Sequence, residues 1–357
     1  MRPLAFTHDR NFGCRIRELV YRGHRCVSLE NARVRLLVAA DKGADILEFL
    51  YKPLDVECLW RSRLGLRPDE HLRFSSPLAT GHFRDYFPGG WYEMLPNGPE
   101  PCVHRGAEFG FHGEATLLPW TYRIERDDPE EIRVTFQARL ARIPLRVERT
   151  MTLRDNSGTV TITGRVTNEA AQTVDFLWGH HPTFGWPLVD EGTRIYLPAC
   201  DAVVSMKTPA GTRLAPGQRH AWPMLQACDG SHIDLSVIPG PDAASHDFVR
   251  LEGLADGWFA IVNPSRRVGF ALRWDRAVFP LLGLWQIWGG AADYPWYGLP
   301  HLLALEPVCE LPSLAAAHAK GTAIVLEGGQ TLETTLEATV FEGAPAVTHV
   351  GPGGEVR

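Results

Sequence analysis

The chain has 357 residues, with 45% apolar and 22% charged, an ordinary globular balance that argues against disorder and against a fibrous protein. Its formal net charge is −6. The nearest thing to a basic patch, Arg61, Arg63 and Arg67, is explained at least as well by a solvated face, so nucleic acid is not an expected partner.

Seven cysteines are spread along the chain with no CxxC pair. An odd number fits neither a disulfide framework nor a zinc finger, and points to a reducing compartment. Residues 1–15 lack the apolar core of a signal peptide. No run of about 18 apolar residues is present, so no membrane span is expected. A cytoplasmic location follows as the expectation.

In chain order, residues 24–40 (HRCVSLENARVRLLVAA) predict two short strands around a turn at Glu30–Asn31. Residues 132–140 (IRVTFQARL), 145–153 (LRVERTMTL) and 159–167 (TVTITGRVT) alternate apolar and polar positions, the mark of strands with one wet face. The DNSG at 155–158 supplies a turn, and the three segments predict an antiparallel meander. Further strands are expected at 194–197, 259–263, 269–274 and 331–341. Only 313–320 (SLAAAHAK) reads as helical, with Ser313 as N-cap. Short strands separated by 34 Gly and 27 Pro predict an all-β chain, a large antiparallel β-sandwich. One domain is expected over residues 1–342, with a loose tail at 343–357.

Four stretches concentrate polar and aromatic groups: 89–98 (GGWYEMLPNG), 109–114 (FGFHGE), 178–185 (WGHHPTFG), and 303–307 (LALEP) preceded by 284–290 (LWQIWGG). His112 lies between glycines and aromatics, where a ligand can approach closely. His180 and His181 precede Pro182, which favours extended backbone. Glu306 ends an apolar run, and a buried carboxylate there needs a partner. Trp91, Trp178, Trp285 and Trp288 flank these sites, and aromatic faces suit the C–H faces of a sugar. Each stretch also has a bland account. The histidines could be core residues, Glu306 could pair with a buried arginine, and 89–98 could be only a turn. A divalent ion held by His112, Glu114, His181 and Glu306 is a further alternative, with HGE as an HxE pair on one strand face.

The motifs HGE, HHPTFG and LALEP, in this order across roughly residues 25–340, resemble the galactose mutarotase-like (aldose 1-epimerase) family. Residues 41–50 (DKGADILEFL) are similar to its opening strand pair. The resemblance implies a β-supersandwich with a sugar cleft on one face. It also implies His181 as general acid, Glu306 as general base and His112 near the reacting centre. The reaction so implied interconverts the anomers of a free aldose and calls for no cofactor and no metal. Trp91, Glu93, Asn97, His180, Gln286 and Trp288 are candidates for substrate contact. HGE stands where the family carries HGG, which leaves the sugar open. A phosphorylated or sulfonated aldose would require arginines or lysines in the cleft, with Arg61, Arg63 and Arg84 as candidates. Sugar sensing without turnover, or another sugar isomerisation or hydrolysis using Glu306 with Glu93 or Glu114, are the competing functions. The tryptophan-bearing loop 293–298 (DYPWYG) is the candidate contact of a homodimer.

Overall fold

Alternation in the sequence becomes alternation of burial along Leu145–Arg154, where every second side chain is buried. The strand pairs with Glu131–Arg139 on one side and Thr159–Asn168 on the other, both antiparallel, giving the expected meander. The structure is a computed structural model that describes residues 10–68, 81–343 and 346–357. Most of the N-terminal stretch read for a leader, and residues 344–345 of the expected tail, lie outside the described residues.

Among the described residues the strands form two large sheets, one of twelve strands and one of eight, with three two-stranded ribbons. All pairings between named strands are antiparallel. The core lies between the large sheets. Phe49 and Phe184 come from the twelve-stranded sheet and meet Phe270 of the other, with ring centroids 5.4 and 4.9 Å apart. Such pairs add about 0.5–1.5 kcal/mol each beyond their buried area.

Two polar devices join the layers. Asn31, at the predicted turn, accepts from the backbone N–H groups of Arg33 and Val34 and donates to the carbonyls of Arg154 and Ser157. The hairpin His24–Glu30/Val34–Ala39 is thereby tied to the opposite sheet. Deeper in, Arg149 projects into the core and donates to Glu93 at 3.2 Å and to the Ala44 carbonyl. Its guanidinium lies over Trp120 and Phe136, with both members of the ion pair 1% exposed.

The helix at Leu314–Lys320 forms where expected, with Ser313 accepting from the Ala316 N–H and Gly321 in the left-handed conformation as C-cap. A second helix, Gly81–Tyr86, was not expected; its six residues are too few to show a period. The expectation of a loose tail is corrected for residues 346–357. Val347 and Val350 are buried against Trp258, Ala260 and Val262, Arg273 donates to the Val350 carbonyl, and Val350 bridges Val356.

Candidate active site

Four successive strands of the large sheet, Trp91–Met94, Gly179–Phe184, His301–Val308 and Leu281–Trp288, run side by side. Side chains alternate between the two faces of a strand. On the face away from the core the four strands present Tyr92, His181, Glu306 and Trp285, all lining one cavity of about 410 Å³. Aromatic residues from the surrounding segments enclose it, with Phe83 and Phe87 on the short helix and its exit, Phe111 beside His112, and Trp296. Trp296 packs on Trp285, Trp60 and Phe87.

On the cavity floor His181 Nε2 lies 3.1 Å from Glu306 Oε1. The other imidazole nitrogen, Nδ1, meets Thr183 Oγ1 at 3.2 Å, two residues along the same strand face. The ring stacks on Tyr92 at 4.6 Å with 20° between planes. Gly283 is the cross-strand partner of Glu306, and a Cβ built there would stand 3.3 Å from Glu306 Oε2. Glycine is the residue that leaves the carboxylate its position.

His112 reaches the same cavity from a turn. Its φ is +60°, uncommon for a side-chain-bearing residue. The turn is fixed by His112 N–H donating to the Gly98 carbonyl and Glu114 N–H to the Leu95 carbonyl. Gly113 follows at φ +76°, and a Cβ there would come within 2.3 Å of the Leu95 oxygen. His112 Nδ1 bonds the Tyr92 hydroxyl at 2.6 Å. Burial, then His181 and Arg84, push the His112 pKa well below its ordinary value, so the imidazole is neutral. Burial and then the Glu306 charge raise the Tyr92 pKa well above its ordinary value, so the phenol keeps its proton. His246, which accepts from Trp285 Nε1 at 2.9 Å, is also held below its ordinary pKa by burial.

Of the residues expected at the site, His181, Glu306 and His112 come together. The six expected substrate contacts do not line the cavity. Trp91, Glu93, His180, Gln286 and Trp288 occupy the opposite parity of the same strands and face the core. Glu93 is held by Arg149 and by Trp178 Nε1 at 2.9 Å. His180 accepts from Trp91 Nε1 at 3.3 Å, and burial lowers its pKa to about 3, so it is a neutral core residue. Gln286 links Asp247 to Trp288. Asn97 is a brace: it donates to the Glu100 and Gly110 carbonyls and accepts from the Leu314 N–H, which holds the segment leading to His112.

The alternative quartet of metal ligands does not assemble. HGE is a turn rather than a strand, and Glu114 accepts from the Arg142 backbone and guanidinium. Among the described residues, the three His, Asp or Glu side chains that do converge are His104, Asp175 and His318, with ligand atoms within 4.8 Å of one another. They sit away from the cavity, and Arg105 also reaches Asp175 at 3.3 Å. The second carboxylate of a two-carboxylate hydrolase is likewise missing from the described cavity lining, where Glu306 is the sole Asp or Glu. The loop expected to carry an exposed tryptophan turns Trp296 inward, while Tyr294 and Tyr297 stay exposed. Tyr294 bonds Asp85 and so ties this loop to the short helix. Sequence reading missed Tyr92, His246, Phe83, Phe87 and Phe111; for Tyr92 the signal was its place one residue from Trp91, on the other strand face.

Comparison with known proteins places this architecture. Solved structures with the same fold include a Klebsiella pneumoniae protein described as a "putative aldose 1-epimerase", with TM-score 0.70 and 16% identity over 92% of this chain and 83% of that one. A galactose mutarotase related enzyme from Lactobacillus acidophilus matches with TM-score 0.60 and 16% identity over 91% of this chain and 100% of that one. A galactose mutarotase-like protein from Clostridium acetobutylicum matches with TM-score 0.59 and 14% identity over 92% and 99%. No curated protein matches. A family profile covers residues 21–340. The chain therefore has the galactose mutarotase-like fold and belongs to the family described as Domain of unknown function (DUF4432).

Proposed function

We propose that the protein is an aldose 1-epimerase, interconverting the α and β anomers of a free aldose. The observation that carries the reading is the contact of His181 Nε2 with Glu306 Oε1 at 3.1 Å on the floor of an aromatic-walled cavity. In a cyclic aldose the anomeric hydroxyl and the ring oxygen are bonded to the same carbon. Acid and base must therefore be neighbours, as these two side chains are.

In the proposed cycle, Glu306 as carboxylate takes the proton of the C1 hydroxyl, and His181 as imidazolium gives its Nε2 proton to the ring oxygen. The C1–ring-oxygen bond breaks, and C1 becomes an aldehyde carbon. Rotation about C1–C2 presents the other face, and closure returns both protons to their origins. Thr183 accepts from the imidazolium at Nδ1 and fixes the ring plane. The stacked Tyr92 ring offers its electron-rich face to the cation. Neutral His112, oriented by Tyr92, donates from Nε2 to a sugar oxygen. Trp285 and Trp296 supply faces for the sugar's C–H groups. The reaction is redox-neutral, and the protons circulate between two residues of the chain.

The test is anomer exchange followed by NMR on freshly dissolved single anomers of a panel of aldoses, with and without chelator. Exchange should be accelerated, persist with chelator, and fall about 10²–10⁴-fold in both Glu306→Gln and His181→Asn. No acceleration with any sugar of the panel would sink the reading. Binding without exchange would favour a sugar sensor, and loss on chelation would point to a metal.

A further inference from the structure

The cavity is charged unevenly, and the imbalance concerns the substrate. Glu306 is its single described carboxylate, whereas three arginines, Arg61, Arg63 and Arg84, line it. A smaller cavity of about 230 Å³ shares Arg61 and Arg63, adds Arg22, and has no described Asp or Glu in its lining.

These arginines differ from most others in the chain. Arg149, Arg213 and Arg142 each face a carboxylate at 2.7–3.2 Å. Arg61 touches Glu48 at 3.4 Å, while among the described residues the guanidinium groups of Arg63 and Arg84 meet no carboxylate. Arg84 is half-buried, lies over the Phe111 ring at 5.4 Å, and is close enough to His112 to disfavour its protonation. A guanidinium held against an apolar wall with its N–H fork unfilled is suited to a bidentate anion.

We propose that the aldose taken by this site is anionic, carrying a phosphate, sulfonate or carboxylate group remote from C1 that is held by Arg84 and Arg63, with Arg61 beside them. The proposal rests on the aldose 1-epimerase reading for its reaction, but not for its binding. Charge also fixes orientation. The Glu306 carboxylate repels a second anion, so the charged end of the sugar is driven toward the arginines and C1 toward the His181–Glu306 pair. A neutral aldose gains nothing from the arginines and enters without that bias.

The experiment compares one aldohexose with its 6-phosphate, its 6-sulfonate and the corresponding uronate. Anomer exchange gives kcat/KM for each, and titration calorimetry gives binding separately, at low and high salt. One anionic arm should exceed the neutral sugar about 10- to 100-fold, the range for a charged hydrogen-bonded contact, and which arm does so identifies the anion. High salt should shrink the ratio. Arg84→Gln and Arg63→Gln should each reduce the anionic-to-neutral ratio, and Arg84→Lys should restore part of it. Neutral sugar turned over as well as every anion would overturn the proposal while leaving the epimerase intact, as would a ratio indifferent to both substitutions. Tight binding of an anionic sugar without exchange would keep the anion site and remove the epimerase. No binding and no exchange with any arm would remove both.

Discussion

Removing Arg149 from the core should destabilise the fold in a pH-dependent way. Arg149 and Glu93 are each 1% exposed and 3.2 Å apart, and Glu93 keeps only the Trp178 N–H at 2.9 Å once the guanidinium is gone. Stripping one partner from such a pair costs about 3–5 kcal/mol, because the remaining charge is left buried. Burial already holds the Glu93 carboxyl above its ordinary value of 4.5, and Arg149 pulls it back down. In Arg149→Met that restraint is lost and the pKa rises further. A folded-state value above the unfolded one means the folded chain binds more protons between the two. Stability therefore falls as pH climbs from about 4.5 through the raised value, by at most about 1.4 kcal/mol per pH unit for one proton. The deficit of Arg149→Met should be small near pH 4.5 and approach its full size near neutrality. Urea unfolding across pH 4.5–8 measures it, and the double variant Arg149→Met/Glu93→Gln should recover much of the loss. A deficit below about 1 kcal/mol near neutrality, or one that does not change with pH, would refute the reasoning.

Gly283→Ala places a methyl 3.3 Å from the Glu306 carboxylate, and should slow anomer exchange about tenfold or more while the unfolding midpoint barely moves. Tyr92→Phe removes the bond to His112 Nδ1 but keeps the stack on His181, so exchange should fall about tenfold; an unchanged rate would show that His112 needs no orientation. His180→Phe should keep its exchange activity, since the imidazole faces the core. His180 titrates near 3 in the fold, below the ordinary 6.5, so the wild type loses stability as pH falls between those values. His180→Phe should flatten that acid-side slope by up to one proton, and an unaltered slope in urea titrations would contradict the assignment.

The sheet architecture was legible because the edge-to-middle strands of the smaller sheet carry one wet face, as in Leu145–Arg154. His181 and Glu306, which the structure brings into contact, were legible by their motifs. The rest of the site was not, and the reason is specific. Gly179–Phe184 and Trp91–Met94 are buried at every position, so no apolar–polar alternation tells the core face from the cavity face. Reading along such a strand, Trp91 and Glu93 look as promising as Tyr92, and His180 as promising as His181. Gln286 and Trp288 were preferred to Trp285 for the same lack of a phase marker. The pairing of Gly283 with Glu306 supplies one: the strand Leu281–Trp288 has no side chain opposite the carboxylate, and residues two apart from it, such as Trp285, share its face. His112 was found by motif but misassigned in geometry, since HGE is a turn braced by Asn97 rather than a strand.

His181 and Glu306 sit on paired central strands, whereas the arginines come from the segments around residues 61–63 and 84 that line the same cavity. This separation makes the molecule a modular target for selection. A library confined to residues 61–64, 84 and 295–299 can exchange the charge and shape of the cavity wall, since none of their printed backbone hydrogen bonds reaches the four strands. Changing what the cavity accepts is thus a problem of replacing the segments around it. A library in the strands would collide with the core at every second position.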